Sequence, residues 1–404
     1  MVGIPRYKEF NGPALFRQGF RPFFLGAGLW AGLAILIWLI VIRGDASLPS
    51  NFPPAQWHAH EMLFGFAAAA ATGFLLTAIP NWTGRMPLQG VPLIVLFGVW
   101  VLGRVAMSIS DAIGDIAAAA LDLAFLALLF GVVLREILAG RNWRNLPVVI
   151  AVGVLFAANA ITHLEVNSIL PSTLLGERLG VAVFVILISL IGGRIIPSFT
   201  RNWLVKRDSP VLPVPFSRFD TVTLVLVLVA SAFWVALPTS TLTAFALIAA
   251  GAISAARLVR WQGWRTYSEP LLWVLHLGYA WVAFGLVLLA GSVLFSAEIP
   301  YAAGLHALTA GAIGTMILAV MTRASRGHTG HPLTVGLPTA AIYALVTLAA
   351  VMRTAAPFTS GSYLTLVSVS GWLWISAFAL FAILYGPILL GDRPTTSGVK
   401  ARQE

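Results

Sequence analysis

Residues 56–80 read QWHAHEMLFGFAAAAATGFLLTAIP. From Met62 the stretch is apolar for nearly the roughly twenty residues that cross a hydrocarbon core. Its first turn carries His58, His60 and Glu61. Ionisable groups are costly in lipid and mark functional positions where they occur. The stretch therefore predicts a membrane-spanning helix with a polar site near one end.

The rest of the chain repeats the first half of that pattern. Of 404 residues, 59% are hydrophobic and 10% charged, against roughly 25% charged in soluble domains. Apolar runs predict twelve spans, at about 22–42, 57–79, 91–109, 112–134, 146–163, 177–199, 217–237, 240–259, 269–294, 300–322, 335–352 and 362–390. The period-two alternation of a membrane β-barrel is absent. The expected fold is an all-α integral membrane protein of about twelve transmembrane helices. Residues 1–21 form an N-terminal arm, 22–390 the transmembrane domain and 391–404 a tail. The arm lacks a signal peptide's apolar core and cleavage site.

A net charge of +10 invites a nucleic-acid reading, but the charges alternate by loop instead. The arm, Arg85, Arg135–Arg144, Arg201–Arg218, Arg257–Arg265, Arg323, Arg326 and the tail hold 20 of 25 basic residues on one side. Arg43, Arg178 and Arg353 fall on the other, and Arg104 and Arg194 lie within spans. The positive-inside rule places both termini in the cytoplasm. The partner implied is the bilayer with its anionic lipids, not nucleic acid.

This orientation gives each histidine a depth. His58, His60, His163 and His306, four of seven, fall near the outer face. His276 lies two turns from the cytoplasmic end of the ninth span, and His328 and His331 sit in a cytoplasmic turn. One histidine in a membrane helix commonly just bonds a neighbour. Four at one level point to a shared metal or haem region, since imidazole is the commonest ligand for both. The absence of cysteine excludes thiolate-bound metals, disulfides and covalent c-type haem.

Residues two apart on a helix point about 200° apart, so His58 and His60 are expected to serve different neighbours. His60 is expected to face the tenth span and His58 to face His163. Glu61 could be a ligand, a proton carrier or an orienting partner for an imidazole, or simply a carboxylate favoured at a helix N-terminus. Asp122 is a candidate proton relay. Arg104 could pair with Asp115 across the short outer turn. Arg104 or Arg178 could equally hold a haem propionate.

Spans two and ten echo one another. His60-x4-Gly65 matches His306-x4-Gly311, and Thr83-Gly84 matches Thr329-Gly330. The span offset of eight suggests three four-helix repeats with the sixth span as the third equivalent. Each glycine, just over a turn beyond its histidine, would leave room for a flat porphyrin clamped between His60 and His306.

The stretches WHAHEMLFGF (57–66), GFLLTAIPNWTG (73–84), GGRIIPSFTRNW (192–203), HLGYAW (276–281) and HALTAGAIGTMILAVMTRASRGHTG (306–330) resemble the NnrS family over nearly the whole chain. That resemblance implies a bacterial inner-membrane protein of denitrification and the nitric oxide response. It implies haem, of the b type, and copper, and relief of nitrosative stress. On this reading His60 and His306 are haem ligands and His276 a further one, while His58 and His163 are candidates for copper or a second haem. If the protein reduces nitric oxide, Glu61 and Asp122 carry protons and a separate protein donates electrons. A looser similarity is to the haem–copper oxidase main subunit, but the His-His pair and the His-Pro-Glu motif of its copper centre are absent. The competing readings are a transporter or metal-delivery protein using the same histidines without redox chemistry, and a haem-based sensor.

Overall fold

The structure is a computed structural model, described over residues 10–392. Residues 1–9 of the arm and 393–404 of the tail lie outside the described residues. The protein is all-helical, with no strand among the described residues. Among the described residues, twelve helices are long and apolar enough to cross a membrane: α1 Phe20–Ile42, α2 Pro54–Thr83, α3 Val91–Ser108, α4 Asp115–Ala139, α5 Trp143–Val166, α6 Leu175–Val205, α7 Arg218–Ala236, α8 Thr241–Val259, α9 Pro270–Leu294, α10 Tyr301–Thr329, α11 Leu337–Phe358 and α12 Tyr363–Leu390.

Local chemistry sets the ends. α2, α3, α9 and α11 carry proline in their first two positions, where the missing N–H has no helical partner to lose. α2 ends at Gly84 (φ +69°) and α10 is followed by Gly330 (φ +82°). That left-handed step suits glycine and closes a helix C-terminus. The Thr-Gly echo in the sequence is thus a shared helix stop.

Three spans depart from simple helix. α2, α6 and α10 run 30, 31 and 29 residues, longer than expected, and each contains a π-helical stretch: Glu61–Ala67, Ile188–Gly192 and Ala307–Gly314. They are also the most enclosed spans, with 72%, 61% and 67% of their most apolar eighteen residues buried, against 50% or less elsewhere. A π turn widens the helix and disturbs its ladder, and such turns concentrate at functional sites. Neighbouring donors bond to carbonyls within two of these stretches. Trp100 Nε1 donates to Gly65 O at 3.0 Å, and Arg257 Nη1 donates to Ser189 O at 2.9 Å. His60 and His306 each immediately precede a π stretch.

The chain forms two compact units. The first comprises Met1–Glu177, Met321–Leu333 and Ala379–Glu404; the second comprises Arg178–Val320 and Thr334–Phe378. In the first, α1 packs through Phe20, Phe23 and Phe24 and receives Trp100 and Phe125. Arg21 fastens the start of α1 to the end of α12, donating to Leu389 O at 2.8 Å. In the second, Arg257 lies in the last turn of α8. It is fully buried in α8, and its Nε donates to Asp220 Oδ1 at 2.9 Å. Asp220 also accepts from the backbone N–H of Ser217, which starts α7.

Candidate metal centre

Within the first unit, three spans turn ligand-type side chains toward one point. α2 supplies His60, α4 supplies Asp122 and α5 supplies His163, and their ligand atoms all lie within 4.8 Å of one another. Asp122 Oδ2 is 3.1 Å from His60 Nε2 and 3.0 Å from His163 Nε2. The two imidazole rings stand 5.4 Å apart at 76°. Four ligands on a tetrahedral ion at about 2.0–2.1 Å lie roughly 3.3 Å from one another. The donor spacing fits a transition-metal ion.

A second ring of contacts holds these donors. His60 Nδ1 lies 3.0 Å from Glu61 Oε1, the carboxylate–histidine arrangement that orients metal-binding imidazoles. Arg104 Nη1 donates to both Glu61 oxygens at 2.6 Å, and its Nη2 bonds Asp122 Oδ1. Asn159 Nδ2 donates to Asp122 Oδ2 at 2.7 Å, and Asn159 Oδ1 is 2.8 Å from His60 Nε2. None of these six residues is more than 4% exposed. Phe52 sets its ring edge-on to both His60 and His163 at 5.3 Å, and Phe64 lies 5.2 Å from His60. Paired charges enclosed by aromatic rings are affordable only because each carboxylate meets a cation or N–H donors.

The sequence patterns are sorted by this geometry. His60, Glu61, Arg104, Asp122 and His163 come together. His58 does not join them: the helix turns it away, and its ring stacks on Trp38 of α1 at 4.7 Å and 19°. The two imidazoles of the His-x-His pair do diverge, but His60, expected to face the tenth span, is the one that meets His163, and His58, expected at His163, meets Trp38 instead. Arg104 does not pair with Asp115; Asp115 accepts instead from Asn51 Nδ2 at 2.7 Å.

His276, His306 and Arg178 belong to the second unit. His276 places Nε2 3.2 Å from Thr200 Oγ1 and Nδ1 3.0 Å from Leu272 O. His306 Nδ1 lies 2.7 Å from Ala302 O. Arg178 Nη2 donates to Val235 O at 3.3 Å.

A family model described as NnrS protein matches residues 14–393, nearly the whole chain. The chain belongs to the NnrS family. In general terms this makes it a membrane protein of the nitric oxide response. No curated protein matches the chain.

The glycines expected to make room for haem in this NnrS-family chain are closely faced by its own side chains. A Cβ on Gly65 would lie 2.8 Å from Arg104 Nη1, Glu61 Oε2 and Trp30 Nε1. A Cβ on Gly311 would lie 2.5 Å from the Trp281 indole. The donors around His60 therefore fit a metal ion, and the space beside it does not fit a porphyrin face.

Asn159 was absent from the sequence reading. Its signal was present: it stands four residues before His163 in LFAANAITH, on the same helix face.

Proposed function

We propose that this protein holds one transition-metal ion between His60 Nε2, Asp122 Oδ2 and His163 Nε2, and that nitric oxide binds there inside a bacterial inner membrane. The observation that carries the reading is the convergence of two imidazoles and a carboxylate from three spans in a fully enclosed, charge-paired setting. Two imidazoles and one carboxylate suit copper, iron or zinc, and copper leads on intrinsic affinity. Such an ion would supply a Lewis-acidic position for a small neutral ligand. Nitric oxide needs no aqueous channel, because it partitions into lipid.

The chain's own residues do the rest. Glu61 fixes the His60 ring through Nδ1, Asn159 orients Asp122, and Arg104 balances the carboxylates. Phe52 and Phe64 keep water from the imidazole faces. If turnover reduces nitric oxide, Glu61 and Asp122 are the candidate proton carriers, and a separate protein would supply electrons.

The test is metal analysis and spectroscopy of the purified protein with and without nitric oxide. One ion per chain, lost in His163→Ala, with a nitric oxide-dependent spectral change, is the expected result. A protein without stoichiometric metal, or metal retained fully in His163→Ala, would overturn the reading. Metal-dependent transport without any nitric oxide response would favour the delivery protein instead.

A further inference from the structure

The buried charges around His60 do not balance once a divalent ion is added. With the ion in place the ligating imidazoles are neutral, so the fixed charges are Glu61 and Asp122, one negative each, and Arg104, one positive. Their sum is about −1, so a divalent ion leaves the enclosure at about +1. Arg104 bonds both Glu61 and Asp122. Glu165 lies two residues beyond His163, but it is turned elsewhere. Its oxygens accept from the backbone N–H groups of Thr173, Leu175 and Gly176 and from the Thr173 hydroxyl, at 2.9–3.1 Å. That carboxylate is spent on the start of α6. The surrounding Phe52, Trp57, Phe64 and Met107 are apolar and at most 4% exposed. An uncompensated charge in such a setting is costly.

We propose that this centre takes a divalent metal ion together with one small monoanion of the nitrite or azide class, the anion completing both the charge and the coordination. The proposal rests on the reading that an ion binds between His60, Asp122 and His163. Three protein donors leave a position open on a four-coordinate ion, so charge and ligand count ask for the same thing. Arg104 and Glu61 then act as positioning residues that set the site's appetite for anions without touching the ion.

Linkage makes this measurable without any turnover. If the anion and the ion bind as a pair, each tightens the other by the same factor. In full-length protein in detergent, Cu2+ affinity is measured by competition against a chelator, with and without azide. Azide affinity of the copper-loaded protein is read from its charge-transfer band. Saturating azide should tighten copper at least tenfold, within the roughly thousandfold ceiling for one unit charge compensated at about 4 Å and an effective dielectric constant of about 20.

Two variants should move the coupling in opposite directions. Arg104→Gln lowers the local charge by one and should abolish the azide effect while keeping copper. Glu61→Gln keeps the shape and the acceptor for His60 Nδ1, raises the charge by one, and should strengthen azide binding about tenfold. Repeating the titration with nitrite tests the oxyanion member of the class. Copper bound in wild type and lost in His163→Ala, but indifferent to azide, overturns this inference alone. Copper bound equally by both proteins, or by neither, overturns the site itself and the inference with it. Should Arg104→Gln fail to fold, the direction of the Glu61→Gln change decides.

Discussion

Both oxygens of Glu61 lie 2.6 Å from Arg104 Nη1, with the two residues at most 2% exposed. The pair joins the π-helical stretch of α2 to the C-terminal half of α3, and through Asp122 it joins both to α4. Its removal is more serious than its presence is helpful. A buried pair is close to neutral overall, but one orphaned partner is strongly destabilising.

Arg104→Leu should therefore destabilise the protein by ~3–5 kcal/mol, because two carboxylates lose their cation at once. Thermal unfolding in detergent reads this. A variant that melts with the wild type would show that the carboxylates find other partners.

His60→Ala and His163→Ala should lose the same ion, each with a drop in affinity beyond the ~10–100-fold that follows loss of an outer hydrogen-bonding partner. His58→Ala should keep it, since His58 is stacked on Trp38. Metal content of the three purified variants separates this geometry from the arrangement expected from the sequence, in which His58 would share an ion with His163.

Asn159→Leu should weaken metal binding by ~10–100-fold without abolishing it, because Asp122 loses the 2.7 Å bond that orients it. Asn159→Asp, which adds a third carboxylate to the cluster, should not restore wild-type affinity. Chelator competition measures both. An unchanged constant in Asn159→Leu would remove this residue from the centre.

Gly311→Ala should cost ~1–3 kcal/mol, the usual penalty of overpacking, since the new methyl meets the Trp281 ring. A shift in tryptophan fluorescence should accompany the loss. If Gly311→Ala is neutral, the indole moves freely and the space beside α10 is open after all.

Reporters fused after Arg144, Arg207 and Arg326 should be cytoplasmic, and those at Asn51 and Glu298 external. Twelve spans and the clustering of 20 of 25 basic residues on one side of the predicted topology require it. An external signal at Arg207 would invert the molecule and move His60 to the cytoplasmic half.

The sequence by itself determined the membrane class, the twelve spans and the family, because apolar runs of bilayer length and stretches such as WHAHEMLFGF are local properties of the chain. It also determined that His58 and His60 diverge, since that follows from helical pitch alone. Local pattern could not reveal which neighbour each one meets. The π stretch from Glu61 to Ala67 alters the register of α2, and no rule of composition marks where a helix takes in that extra residue. Asp122 and Asn159 read in sequence as isolated polar residues on apolar helices, 37 positions apart. Only the packing of α2, α4 and α5 brings them to His60 and His163. The same packing decided against Asp115 as the partner of Arg104. Asp115 starts α4 and meets the exposed Asn51, while Asp122, two turns further on, lies buried where a guanidinium must find a carboxylate or remain unpaired.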